Sequence, residues 1–263
     1  MIIIDNEILD LPTSTGPMRT HILRPAAPGR YPGIVLWSEI FQVTGPVKRT
    51  AALFAGNGFI VAVPEIYHEF EQPGIALAYD DAGSKRGNDL KTAKLLSAYD
   101  SDARAALDAL KSHPHCTGKL GTAGICIGGH LAFRTAFNPD VLATTCFYPT
   151  DLHKHGLAQG MCDDSLDRAA EIRGELLMIW GRQDPHIPRE GRRMVYEAIS
   201  DAELNFQWAE FNGAHAFLRD EGPRYNPALA QLSYGLALEL FKRKLNEGDL
   251  PAHAVEGGGE TRH

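Results

Sequence analysis

Three residues of this chain have the types and the order that nucleophilic catalysis needs. Cys126 lies in Gly124-Ile125-Cys126-Ile127-Gly128-Gly129-His130, a segment of the form Gly-x-nucleophile-x-Gly. A nucleophile on a sharp strand-to-helix turn needs glycine on both sides, because side chains there collide with neighbouring backbone. Such a turn lifts the thiol above the sheet edge and aims the next backbone N–H, that of Ile127, at a developing oxyanion. The start of the following helix favours negative charge, which helps a thiolate. A phosphate-binding loop is a poor rival, because no Lys-Ser/Thr pair follows. The plainer alternative is a glycine-rich turn holding an inert cysteine.

Downstream, Gly181-Arg182-Gln183-Asp184-Pro185 and Phe211-Asn212-Gly213-Ala214-His215 each follow an apolar run. The order nucleophile, acid, histidine is that of an α/β-hydrolase triad. In it the histidine moves the proton, and the aspartate fixes its tautomer and stabilises the imidazolium. Alone, Asp184 reads equally as an Asp-Pro turn residue and His215 as a half-buried loop histidine.

The elements that must position these groups are visible as alternating patterns. Short apolar runs at Gly33–Trp37, Phe59–Val63, Leu120–Ile125, Ala143–Tyr148 and Leu176–Trp180 suit strands buried on both faces, and a strand is expected over Asn205–Phe211. The β-branched start, Ile2-Ile3-Ile4, suits a first edge strand. Helical patterns fall over Val47–Asn57, Asp89–Ser112, His130–Phe137, Arg189–Ile199 and Pro227–Leu245. The alternation predicts an α/β-hydrolase fold, a mostly parallel, doubly wound sheet flanked by helices. Residues 1–246 are expected to form that domain, and residues 247–263, with Gly257-Gly258-Gly259, a flexible C-terminal tail. Tyr67–Asn88 is polar and long enough to predict a lid or binding loop.

Composition removes other functions. With 26 basic and 33 acidic residues the net charge is −7, which disfavours nucleic acid and anionic membrane surfaces. No apolar stretch reaches the length of a transmembrane helix, and acids follow the N-terminal isoleucines too soon for a signal peptide. The cytoplasm is the expected compartment, with reduced thiols. Cys116, Cys146 and Cys162 read as small buried or loop residues, in no zinc spacing. The pairs His113/His115 and His153/His155 lack a third ligand, so no metal or cofactor is expected.

From Arg19 to Leu245 the chain resembles the dienelactone hydrolase family. Four segments carry the resemblance in the family's order: Ser38-Glu39-Ile40-Phe41, Gly124 to His130, Gly181 to Pro188 and Gly213 to Arg219. The resemblance implies a triad of Cys126, His215 and Asp184. It implies that Glu39 lies near the thiol and helps form the thiolate when substrate arrives. The oxyanion hole would then be the N–H groups of Ile40 and Ile127. It also implies two arginines holding a substrate carboxylate: Arg219, and one before the long helix, for which Arg86 is the candidate. The segment around Arg86 aligns only with a gap and departs from the family, which places the natural substrate in question more than the chemistry. The expected function is hydrolysis of a small, anionic ester or lactone. Alternatives are a thioesterase or general small-ester esterase, a ligand-binding relative without turnover, and a redox-sensing thiol. The oligomeric state has no signal in the sequence.

Overall fold

A computed structural model describes residues 1–246; the expected tail over 247–263 lies outside the described residues. Eight strands form one sheet in the order β1-β2-β4-β3-β5-β6-β7-β8. They are β1 Ile3–Thr13, β2 Gly16–Pro25, β3 Tyr31–Trp37, β4 Ile60–Pro64, β5 Cys116–Ile125, β6 Val141–Phe147, β7 Glu175–Gly181 and β8 Phe206–Phe211. The pairs β1–β2 and β2–β4 are antiparallel and all others parallel. The six helices are α1 Gly45–Gly56, α2 Asp81–Ala93, α3 Leu96–Ser112, α4 Ile127–Thr135, α5 Arg189–Asp201 and α6 Pro227–Leu245. This is the expected α/β-hydrolase architecture. The central strands are apolar because helices cover both faces: β4, for instance, is buried at all five positions. The N-terminal strand, by contrast, alternates burial as an edge strand does. Its hairpin partner β2, which reaches both β1 and β4, was not anticipated.

Parallel register fixes where the loops emerge. Trp37 pairs with Gly124, Gly124 with Cys146, Phe147 with Ile179 and Gly181 with Phe211. Glu39 and Ile40 therefore lie two and three residues beyond a strand end that adjoins the one leading to Cys126 and Ile127. Asp184 and His215 leave the same edge, three and four residues beyond the paired Gly181 and Phe211.

One expectation is corrected. The segment Tyr67–Asn88 is not a continuous loop, and Asp89–Ser112 is not one helix. A helix, α2, begins at Asp81, and the chain breaks at Lys94 and Leu95, whose ψ angles of 141° and 146° are extended. The sequence concealed α2 because its buried positions are Gly83, Gly87 and Leu90, which make no apolar stripe. Its start is capped by the Asp80 carboxylate, which accepts the Gly83 N–H at 2.7 Å. Gly87 rests directly on the Ile40 segment, where a Cβ would lie 2.4 Å from the Ile40 carbonyl oxygen.

The break has a charged anchor. The Lys94 side chain is fully buried, and its ammonium pairs with Asp102 at 2.8 Å and with Glu69. His68 Nε2 lies 3.2 Å from both oxygens of Asp102. His68, Glu69 and Asp102 are close enough to resemble a metal site, but the Lys94 ammonium already supplies the positive charge among them. Its backbone carbonyl accepts the Gln159 N–H at 2.8 Å. Among the described residues no helix is long and apolar enough to cross a membrane.

Removing the ammonium leaves two acids facing each other with little water to solvate them. Lys94→Met is therefore expected to lower the unfolding free energy by about 3–5 kcal/mol, read by urea denaturation. A loss below about 1 kcal/mol would show that the cluster does not hold the α2–α3 junction.

Candidate active site

Cys126 is the residue between β5 and α4, with φ 61° and ψ −122°. L-residues rarely adopt this conformation, so the surrounding packing must hold it. Two glycines make that packing possible. A Cβ on Gly124 would lie 1.8 Å from the Gly128 carbonyl oxygen, and one on Gly128 would lie 2.3 Å from the Trp37 carbonyl oxygen. Cys126 is itself tied on both sides. Its N–H donates to the Phe147 carbonyl at 3.0 Å, and its carbonyl accepts from the N–H groups of Gly129 and Thr150. His130 supports the turn from behind. It is fully buried, and its Nδ1 faces the Thr150 carbonyl at 3.0 Å, so Nδ1 is the donor there. Its Nε2 lies 2.7 Å from Ser165 Oγ and 3.2 Å from Asp163.

The structure brings Cys126, His215 and Asp184 together. His215 Nε2 lies 3.3 Å from Cys126 Sγ, and His215 Nδ1 lies 2.6 Å from Asp184 Oδ2. The other Asp184 oxygen accepts the backbone N–H of His186 at 2.8 Å. A carboxylate can only accept, so His215 Nδ1 carries a proton and Nε2 faces the sulfur. Burial opposes a charge on His215. The adjoining Cys126 and the Asp184 carboxylate outweigh it and raise the histidine above its ordinary 6.5. An imidazole beside a cysteine sulfur in this way can exchange a proton with it.

These groups open into a cavity of about 350 Å³. Glu39, Ile40 and Arg219 line it with Cys126 and His215. Ile127 is the first residue of α4, so its N–H has no carbonyl partner within the helix. Glu39 is buried and accepts from the Tyr79 hydroxyl at 3.0 Å. Desolvation raises its carboxyl above the usual range, although Arg219 and Tyr79 pull it down. Arg219 Nη1 stands 4.0 Å from Glu39 Oε2, and the guanidinium lies 4.3 Å from the centre of the Tyr79 ring. The turn beyond it is fastened by Arg49, which donates to Asp220 and Glu221 at 2.6 Å each.

Arg86 is not brought to the cavity. It is an exposed residue of α2 whose Nε donates to Glu71 at 2.7 Å. At 100° per residue, the face of α2 that carries Ser84, Asn88 and Lys91 into the cavity turns Arg86 away. Residues the sequence did not single out also line the cavity: Tyr79, Lys91, Asp151, Lys154, His186 and Arg224. His186 had a signal, two residues after Asp184 in the same strand-end turn. Lys91 comes from α2, Lys154 from a short 3-10 turn, and Tyr79, Asp151 and Arg224 from loops.

The raised Glu39 carboxyl has a consequence for stability. An acid whose folded pKa lies above its unfolded value makes the folded state bind more protons. Stability then falls as pH rises from the ordinary 4.5 through the folded value. Glu39→Gln escapes that loss. Its stability relative to wild type is expected to rise as the pH is raised above 4.5, measured by denaturant titration. A difference that does not change with pH would show that burial does not raise the Glu39 carboxyl.

Comparison with known proteins gives the family. Residues 18–245 match the model of the dienelactone hydrolase family. A protein of Saccharomyces cerevisiae named "Putative carboxymethylenebutenolidase" is 39% identical over 256 residues, covering 93% of each chain. The "Carboxymethylenebutenolidase" of Pseudomonas putida is 28% identical over 216 residues, covering 80% of this chain and 85% of that one. A solved structure described as "Putative Dienelactone Hydrolase from Klebsiella pneumoniae subsp. pneumoniae MGH 78578" superposes with a TM-score of 0.77 at 22% identity, covering 92% of this chain and 100% of the other. At that identity the likeness speaks for the fold alone. With 228 consecutive positions (18 to 245) inside the family model and a relative at 39% identity along nearly the whole chain, the protein belongs to the dienelactone hydrolase family and is a hydrolase.

Proposed function

We propose that the chain hydrolyses a small ester or lactone, of the dienelactone kind, through Cys126, His215 and Asp184. The observation that carries this reading is the continuous line of contacts Asp184–His215–Cys126 opening into a cavity that Glu39 and Arg219 also line.

The steps follow from the geometry. The Cys126 thiolate attacks the carbonyl carbon and the C=O electrons move to oxygen. The Ile40 and Ile127 N–H groups are assigned to that oxyanion, one donor contributing about 3–4 kcal/mol of transition-state stabilisation. Collapse of the tetrahedral species breaks the C–O bond. The leaving enolate or alkoxide takes a proton from His215, and a thioester to Cys126 remains. His215, now neutral, accepts a proton from water as the hydroxide adds to the thioester. Cys126 leaves as thiolate, the acid is released and the thiolate–imidazolium pair is restored. Asp184 holds the imidazole orientation throughout.

Glu39 and Arg219 are assigned to activation and recognition. A substrate carboxylate competes with Glu39 for Arg219, because the guanidinium is only 4.0 Å from the glutamate. Drawing Arg219 away removes a charge that pulls the Glu39 carboxyl down, so Glu39 binds a proton more readily when substrate arrives. Arg86 takes no part in this reading, since it is paired with Glu71 on the far face of α2.

The test is hydrolysis of cis- and trans-dienelactone and of p-nitrophenyl acetate by wild type and Cys126→Ala. Cys126→Ala is expected to lose at least about a thousandfold in kcat/KM on every substrate the wild type turns over. Retention of activity in that variant would remove Cys126 as nucleophile. Arg219→Ala is expected to lose about tenfold or more in kcat/KM on dienelactone beyond any loss on the neutral aryl ester, since a charge-assisted contact disappears. Equal losses on both would place carboxylate recognition elsewhere.

A further inference from the structure

His186 is a second histidine at the reacting centre that the steps above do not use. It lines the same cavity, and its ring meets the His215 ring edge-to-face, with centroids 4.7 Å apart and planes at 73°. On another side, the buried Tyr148 ring meets His215 at 5.0 Å and 68°. The proton-carrying imidazole is thus packed against two aromatic rings, one of which titrates. His186 is also locked to the acid, since its backbone N–H donates to Asp184 Oδ1 while Asp184 Oδ2 holds His215.

We propose that His186 is a positioning residue with a switch in it. While neutral, it holds the His215 ring and offers an uncharged aromatic neighbour to the imidazolium. On taking a proton from solvent, it drives the His215 proton onto Cys126, leaving a neutral thiol and a neutral imidazole. This inference rests on the proposed pairing of Cys126 with His215.

Charge arithmetic gives the direction. A neutral ring next to an imidazolium is tolerated, whereas two imidazolium rings at this spacing repel. The charged groups facing His186 are His215, Asp184, Arg224 and Asp151, with Lys154 on the same cavity wall. Burial and the His215 charge hold His186 below its ordinary 6.5, Arg224 adds to them, and Asp184 and Asp151 oppose. His186 is therefore neutral at neutral pH and gains its proton only in acid. His215, by contrast, keeps its proton well above neutrality. The loss of the reactive pair on acidification then follows His186, not His215.

Nitrogen NMR of histidine-labelled wild-type protein reads both rings without turnover. His186 is expected to titrate below 6.5, with His215 losing its second proton in the same step. A His215 that stays doubly protonated through the His186 titration overturns the proposal. In kinetics, His186→Phe keeps a ring of similar shape but cannot take a proton. The acid limb of its kcat/KM profile on p-nitrophenyl acetate is expected to move to lower pH by at least about half a unit. His186→Ala, which removes the ring, is expected to lower kcat about tenfold at the plateau. A His186→Phe profile that superimposes on wild type overturns the switch. Wild type without any Cys126-dependent hydrolysis would instead remove the reading of the site, and the NMR titration would still decide whether the two rings are coupled.

Discussion

Backbone packs directly on backbone where the chain leaves β5, and the site depends on that contact. With Cys126 in a conformation that L-residues avoid, the turn is short enough for Gly124 and Gly128 to approach each other and for Gly128 to touch the end of β3. A single methyl group at either glycine would separate them. The approach brings the Glu39–Ile40 segment beside the first turn of α4. It also leaves the sulfur and the Ile127 N–H at one edge of the sheet. The same device recurs one layer further out, where Gly87 lets α2 lie on the Ile40 carbonyl. The cavity wall is thus assembled from segments that touch through main chain and leave their side chains free to face inward.

Charge is then distributed over that frame in two ways. At the centre, Asp184, His215 and Cys126 form a line in which the two outer groups raise the histidine between them against the cost of burial. Around it, buried polar clusters hold the loops. His130 with Asp163 and Ser165 backs the nucleophile turn, and Lys94 with Asp102, Glu69 and His68 fastens the junction of α2 and α3. Such clusters contribute little net stability compared with apolar packing, but breaking one is costly. Their effect is to make one arrangement of the loops much better than its neighbours. Glu39 belongs to neither group fully: it is buried, raised by desolvation, and only partly balanced by Arg219 and Tyr79. A carboxyl in that state is chemically responsive to any anion that competes for the arginine.

Legibility followed local signal. The buried parallel strands read clearly because each is a continuous apolar run between turn residues. Cys126, Asp184 and His215 could be placed because each follows such a run, and parallel strands put all those ends at one edge. Glu39 and Arg219 came from family resemblance, since nothing in an isolated glutamate or arginine says that it faces a cavity. Helix α2 was missed because glycines make its buried face, and Arg86 was offered for the site because the helix that turns it away had not been recognised. His186 stood in plain view beside Asp184, yet its ring contact with His215 depends on two loops meeting from different strands.

The sequence by itself therefore determined the strand–helix alternation, the nucleophile turn with its obligatory glycines, and the order of the three residues assigned to catalysis. These are properties of local backbone sterics and of hydrophobic period, which a few neighbouring residues settle. Only the tertiary structure decided which charged and aromatic side chains enter the cavity: Arg219 against Tyr79, Lys91 in place of Arg86, His186 against His215. Those choices depend on the rotation of helices and the meeting of loops far apart in the chain, where close backbone packing at glycine, and not local preference, sets the outcome.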